Sequence, residues 1–357
     1  MRRSNYIQWA KSREACRYNL GRSSIRGCPA EDLAARPEDF MFAGDNAHGW
    51  DPLRTALGDR YAVPADSIVL AIGTSMANHL ACAAVLDTPG SHVLVESPGY
   101  EPLESLPAYL GAEVETFPRH RGGGWRLDVD EVVRRVRPGS TRLVILSNLH
   151  NPTGQPADPA ALDALADAAR DHDFHVLVDE VYLEFTTDRR IAATRSPRFI
   201  STCSLTKAYG LDGLRAGWVI ASPELAERIR SLNDLFGIIM PHPTERLALR
   251  ALERLDVISA NVRALVDHNR EIATAFVASR DELDWVRPLN APIGFARLRG
   301  GSVDQLIDLL EAEYETTAPP GRFFGHDDHF RLAFGMETGD LHAGLERLDQ
   351  ALDRITK

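Results

Sequence analysis

The chain has 357 residues, enough for roughly two domains at about 150 residues each. Hydrophobic residues make up 44% and charged residues 25%, a mix that can bury a large core and excludes intrinsic disorder and a fibrous repeat. The formal net charge of -11 would repel nucleic acid and anionic lipid, so neither is expected as a partner. The charged start lacks an apolar leader core and no apolar run is long enough to span a bilayer, which reads as a soluble cytoplasmic protein. Cys16, Cys28, Cys82 and Cys203 lie far apart with no CxxC pair, against both a disulfide scaffold and a zinc site.

From about residue 67, short β-branched runs end in turn residues and alternate with helical stretches. The runs predict strands at 67–72, 92–96, 141–148, 175–179, 199–204 and 215–221, with helices at 76–86, 102–110, 129–136 and 159–171 between them. Near-continuous apolar strands alternating with helices imply an α/β fold with a mostly parallel sheet covered on both faces. The stretch 118–126, PRHRGGGWR, reads as a flexible loop and lacks the GK[ST] ending of a phosphate-binding loop. After Met240 a single long helical pattern runs from Pro243 to about Arg280. Strand-like 294–299 and 330–334, a helix at 303–314 and a final helix complete a smaller α+β unit.

Ligands in such sheets bind at the carboxyl ends of the strands. Those ends carry GTSMA (73–77), SPGY (97–100), NLHNPTG (148–154), DEVY (179–182) and SLTK (204–207), followed by GLRAG (213–217) and, later, RLAFG (331–335). Each alone has a plain structural explanation: NPTG makes a good turn, GTS caps a helix, Asp179 can cap one, and Tyr100 can be a loop aromatic. Their joint order and spacing are much harder to explain that way. Lysine usage adds a pointer, because Lys11, Lys207 and Lys357 are the only lysines among 40 basic residues. Arginine serves wherever positive charge suffices, but it cannot lose a proton and attack a carbonyl.

With NPTG, DEVY and SxxKxxxxxGxRxG in place, the chain resembles the fold-type I pyridoxal-phosphate enzymes of the aspartate aminotransferase superfamily, the class I/II aminotransferases. The resemblance runs from GWDPLR (49–54) to the C-terminus and includes PGRFFG (320–325) ahead of Arg331. It implies a mostly parallel seven-stranded sheet in a large cofactor-binding domain (42–242), with 1–41 and 243–357 forming a small domain. It also implies pyridoxal 5'-phosphate as cofactor, α-amino acid and 2-oxo acid substrates, and a homodimer in amino acid biosynthesis. By this resemblance Lys207 carries the cofactor covalently and then moves a proton at the substrate α-carbon. Asp179 pairs with the ring nitrogen, Asn151 and Tyr182 bond the phenolic oxygen, and Tyr100 stacks on the ring. Gly73, Thr74, Ser75, Ser204 and Arg215 hold the phosphate, while Arg331 and Asn151 bind the substrate, Arg331 through its carboxylate.

Several other residues stay outside that pattern. His150 reads as a packing residue, and His326–His329, HDDH, resembles metal ligands in composition but falls in a connecting loop, so no metal is expected. Gly44 stands where many relatives send a tyrosine to the partner's cofactor phosphate; Asn46 or His48 could substitute, and a tyrosine at 44 should help. Arg22 and Arg26 could meet an acidic substrate group or be ordinary surface arginines. The same cofactor also serves lyases, cyclases and amino acid oxidases, and a sensor domain without turnover is a further alternative.

Overall fold

The computed structural model describes residues 4–355, so Lys357 and the first three residues lie outside the described residues. Helix α1 (Asn5–Ser12) and the short strand β1 (Tyr18–Asn19) lead to α2 (Ala30–Leu33) and α3 (Asp51–Tyr61). The alternating region comprises β2 (Ile68–Ile72), α4 (Gly73–Val85), β3 (His92–Ser97), α5 (Glu101–Tyr109), β4 (Glu113–Pro118) and α6 (Val129–Val133). It continues through β5 (Thr141–Ser147), α7 (Pro159–Asp171), β6 (His175–Asp179), β7 (Phe199–Ser204) and β8 (Ala216–Ile220). Then come α8 (Pro223–Asn233), α9 (His242–Glu253), α10 (Leu255–Ala278), β9 (Leu283–Trp285) and β10 (Ile293–Leu298). The last elements are α11 (Val303–Glu313), β11 (Thr316–Thr317), β12 (His329–Ala333) and α12 (Thr338–Ile355).

Strands β2 to β8 form one seven-stranded sheet in the order β2-β8-β7-β6-β5-β3-β4. β8 runs against β2 and β7, and the other pairings are parallel. Alternation along β5 shows why its run is apolar throughout: Leu143 and Ile145 pack with residues of α4 and α8, Val144 and Leu146 with residues of α7. A second, antiparallel sheet has the order β12-β10-β9. β1 pairs in parallel with β11, stitching the N-terminal segment to the C-terminal part.

Three expectations needed correction. β4 had no counterpart in the strand pattern, because it is the sheet's edge and carries exposed and half-buried Glu113, Glu115 and Thr116 with Phe117 buried. The long helix after Pro243 is two helices, broken at Arg254 (φ -108°, ψ 6°), which keeps both Ala251 and Leu255 in the core. The stretch 118–126 is not a flexible loop. Trp125 and Arg119 are buried there, Trp125 against Phe295, His326 and His329.

Arg119 makes a wholly buried ion pair, its Nη2 lying 2.7 Å from Glu96 Oε2. The other Glu96 oxygen accepts from the Ser147 backbone N–H at 2.7 Å and from its hydroxyl at 2.6 Å, so the pair braces the end of β5. Removing one partner strands a buried charge, which typically costs about 3–5 kcal/mol. Arg119→Met should therefore lower unfolding free energy in urea by about that amount. A loss no larger than that of an exposed ion pair would contradict this role.

Candidate active site

The parallel strands all deliver their carboxyl ends to one edge of the sheet, and β8, running the other way, delivers its beginning there. That reversal is why Arg215, just before β8, meets residues that follow β2, β6 and β7. The structure gathers Thr74, Ser75, Tyr100, Asn151 and Asp179 into one cavity. Tyr182, Ser204, Lys207 and Arg215 line the same space, and Gly73 lies at its edge as the first residue of α4.

Gly73 has φ +74°, a conformation glycine adopts without strain, and a side chain there would strike the Arg215 guanidinium. Gly217 is equally constrained, since a Cβ would sit 2.8 Å from Gly73 Cα and 2.9 Å from Thr74 N. These two glycines let β8 close against the N-terminus of α4, where backbone N–H groups and the helix dipole favour an anion. Among the described residues, Thr74 Oγ1 is buried there without a hydrogen-bond partner. The Arg215 guanidinium makes one long bond among the described residues, Nη1 to Asp212 O at 3.4 Å. A helix N-terminus, an unpartnered buried hydroxyl and a guanidinium together fit a phosphate group.

Asp179 ends β6 with its carboxylate buried. Burial raises its pKa to about 6, against hydrogen bonds from Asn78 Nδ2 (3.0 Å) and Val181 N (3.3 Å) and the attraction of Lys207. A protonated ring nitrogen is the kind of partner such a carboxylate lacks. Neighbouring Glu180 points elsewhere, accepting from Ala192 N at 3.0 Å, as alternation along a strand requires. Lys207 donates to Ser23 Oγ at 2.9 Å and Ser24 Oγ at 3.4 Å. Burial of its amine, then the charge of Arg331, lower its pKa to about 8, while Asp179 acts in the opposite direction. The cavity therefore offers an amine poised to lose its proton, an acidic ring partner and a phosphate cradle, and these residues fit pyridoxal phosphate.

Arg331, on β12, is fully buried. Its Nη1 donates to Asn151 Oδ1 at 3.0 Å, and its Nη2 to Tyr6 Oη at 2.6 Å and Gly21 O at 2.8 Å. Its Nε has no partner among the described residues, a buried donor suited to a carboxylate oxygen. The N-terminal segment crosses the cavity beside it, where Tyr182 Oη donates to Ser23 O at 2.8 Å and Ile25 N to Lys207 O at 3.1 Å. Tyr100 lines the cavity and meets Tyr6 edge-on at 5.7 Å between ring centroids.

Other candidates are spent elsewhere. Arg22 pairs with Asp212 and Arg26 with Glu337. His150 is buried, bonded to Thr153 Oγ1 at 2.6 Å and Pro98 O at 2.8 Å. Asn46 is also buried, donating to Met240 O at 3.0 Å and Glu245 Oε2 at 2.6 Å, so both donors of its amide are already committed. A tyrosine at Gly44 would collide with the buried His242 ring, which overturns the expectation that it would help. His48 is exposed. His326, Asp328 and His329 bring ligand-type atoms within 4.8 Å of one another, but the Asp328 oxygens already bond His329 Nδ1 (2.6 Å) and Arg297 Nε (2.8 Å).

Sequence reasoning missed Tyr6, Ser23, Asn78 and Ser147. Ser147 ends a predicted strand and Asn78 is a polar residue inside the apolar run ANHLACAAV, so both carried a signal. Tyr6 carried none, because its bond to Arg331 joins opposite ends of the chain, whereas Ser23 lies in YNLGRSSIRGCP (18–29), which loosely resembles the family segment that closes over substrate.

An α/β sheet with a lysine amine, a carboxylate and an anion cradle at its strand ends defines a pyridoxal-phosphate enzyme. Residues 41–348 match the family described as aminotransferase class I and II, and the chain belongs to that family. It is an aminotransferase, moving an amino group between an α-amino acid and a 2-oxo acid. Among curated relatives, it is 29% identical over 342 residues to capreomycidine synthase of Streptomyces vinaceus, covering 94% of this chain and 87% of that protein. It is 27% identical over 337 residues to an arginine–pyruvate transaminase of Pseudomonas aeruginosa, covering 89% and 83%. The fold superimposes on a PLP-dependent aminotransferase from Streptococcus suis with a TM-score of 0.93 at 26% identity, over 99% and 98% of the two chains. Aspartate aminotransferase from Thermus thermophilus shares the fold with a TM-score of 0.88 at 22% identity, over 98% and 96%.

The lowered Lys207 pKa has a measurable sign. Below about pH 8 the amine is charged in folded and unfolded chains alike; between about 8 and 10.5 the folded chain has released its proton first, so stability rises with pH across that window. In cofactor-free protein, reductive labelling by pyridoxal phosphate and borohydride should map to Lys207 with a midpoint near pH 8. A label on Lys11, or a midpoint near 10.5, would contradict the environment described here.

Proposed function

We propose that Lys207 carries the cofactor and moves the proton at the substrate α-carbon, that Asp179 pairs with its ring nitrogen, and that Arg331 binds the substrate α-carboxylate. Pyridoxal phosphate, when bound, supplies an aldehyde for the amine and a ring that withdraws electrons from the α-carbon. Asn151 and Tyr182 bond the ring's phenolic oxygen, and Tyr100 covers a ring face. Gly73, Thr74, Ser75, Ser204 and Arg215 hold the phosphate. The observation that carries this reading is the enclosure of the Lys207 amine and the Asp179 carboxylate in one cavity beside the α4 N-terminus. A lysine that loses its proton near pH 8 can act as nucleophile and base in turn.

The same reading divides the chain into a large cofactor domain at 42–242 and a small domain built from 1–41 and 243–357. The single seven-stranded sheet lying within the former and the β1–β11 pairing within the latter support it. It also makes the enzyme a homodimer. Exposed Phe40, Met41 and Phe42 and exposed Leu235, Phe236, Ile238 and Ile239 support this, because the bonds from Asn46 to the 240–245 segment bring the two apolar runs together. The enzyme is assigned to the cytoplasm and to amino acid biosynthesis, with small-molecule substrates; among the described residues no helix is long and apolar enough to cross a membrane.

Incubation with a panel of amino acids and pyruvate, arginine first given the transaminase relative, should yield alanine and the matching 2-oxo acid. The similarity to a protein named a synthase favours one second reading, in which the same site directs the amino acid to a lyase, cyclase or oxidase product. Consumption of amino acid without alanine would support that outcome. Arg331→Lys keeps the charge and loses the planar fork, so KM for the amino acid should rise about tenfold or more, the equivalent of about 1.5–3 kcal/mol. An unchanged KM would place the carboxylate elsewhere.

A further inference from the structure

Asn78 interrupts the apolar face of α4, lying between Ala77 and Leu80, Ala81 and Cys82, all fully buried. An aliphatic side chain would serve packing there, and a buried amide is costly unless it is bonded. Its bonds are specific. Nδ2 donates to Asp179 Oδ2 at 3.0 Å, and Thr202 Oγ1 lies 2.6 Å from Asn78 Oδ1. Thr202 is the register partner of Asp179 across β6 and β7, and all three side chains are buried.

The chemistry admits one orientation of that amide. An ionised carboxylate only accepts, so the NH2 group faces Asp179 and the amide oxygen faces Thr202. The Thr202 hydroxyl must then be the donor. It therefore decides which way the amide faces, and the amide in turn occupies one carboxylate oxygen. Val181 N reaches the other at 3.3 Å, a long bond that leaves this oxygen with acceptor capacity toward the cavity. A short chain of satisfied buried bonds of this kind is rigid.

We propose that Asn78, oriented by Thr202, is a positioning residue for Asp179, keeping its carboxylate ionised and aimed at the ring nitrogen of the cofactor. This rests on the reading of Asp179 as the ring's partner. A hydrogen bond to the charged form favours that form and opposes the effect of burial. Without it the carboxylate holds a proton more readily, and the proton shared with the ring nitrogen shifts toward Asp179.

The test reconstitutes the enzyme with pyridoxal phosphate carrying nitrogen-15 in its ring. Cofactor dissociation constants and the pH at which the ring nitrogen loses its proton, read by NMR, are compared across variants. Asn78→Leu should weaken cofactor retention about tenfold, the scale of one hydrogen bond to a charged group, and lower the fraction of ring nitrogen that is protonated across the titration. Thr202→Val, which removes a hydroxyl bonded to Asn78 and not to Asp179, should shift both in the same direction by less. Thr202→Ser, which keeps the donor, should match the parent. A merely structural role would not move the ring titration. Ring titrations equal to the parent's in both Asn78→Leu and Thr202→Val overturn the proposal, and if Asn78→Leu fails to fold, the Thr202→Val and Thr202→Ser pair decides alone. Asp179→Ala separates the two levels. If it binds and titrates cofactor as the parent does, the role of Asp179 fails and this inference with it; if it loses both while the other variants match the parent, only this inference fails.

Discussion

Desolvating an amine and a carboxylate side by side at one sheet edge is the constraint on which the rest of the site depends. Desolvation pushes both toward neutrality, Asp179 up to about 6 and Lys207 down to about 8, and each neighbour adjusts that balance. Hydrogen bonds from Asn78 and Val181 favour the carboxylate, and the charge of Arg331 disfavours a charged amine. Such a balance survives only if the groups cannot drift apart. Every one of them is therefore mounted within a few residues of a strand end or a helix start, where the backbone is pinned by the sheet.

The surroundings of Arg331 are built differently. Arg331 comes from β12 in the smaller sheet and reaches Asn151 of the larger region and Tyr6 and Gly21 of the N-terminal segment at once. Tyr6 is held in turn because Glu101 receives the N-terminus of α1: it accepts from Ser4 Oγ at 2.7 Å, Asn5 N at 3.1 Å and Tyr6 N at 2.7 Å. A carboxylate at a helix N-terminus is favoured by the unpaired N–H groups and the dipole. Glu101 directly follows Tyr100, so one short segment supplies both a cavity wall and the anchor for the helix that holds Tyr6 against Arg331.

The legible parts of the fold were those with a strong local signature. Strands β2, β3, β5, β6, β7 and β8 are buried and apolar, and their positions differ from the sequence pattern by a residue or so at their ends. Edge strand β4 escaped notice because its exposed face is charged, and the break at Arg254 escaped because neither glycine nor proline marks it. Trp125 shows the opposite failure. Three glycines precede it and suggest mobility, yet its ring is buried against residues some 170 to 200 positions further along the chain.

The amino-acid sequence by itself determined the α/β class, the family and the residues at the strand ends, because those residues are tied to local strand–turn–helix chemistry that repeats along the chain. The rarity of lysine singled out Lys207 before any geometry was known. What only tertiary structure decided was which partners those residues meet. Ser23 against Lys207, Tyr6 against Arg331 and Asn78 between Thr202 and Asp179 join positions 101 to 325 residues apart. The same holds for what is excluded: the His242 ring bars a side chain at Gly44, and Asn46 is consumed by Met240 and Glu245. Hydrogen bonding and steric exclusion act through space, and a pattern read along one dimension does not contain them.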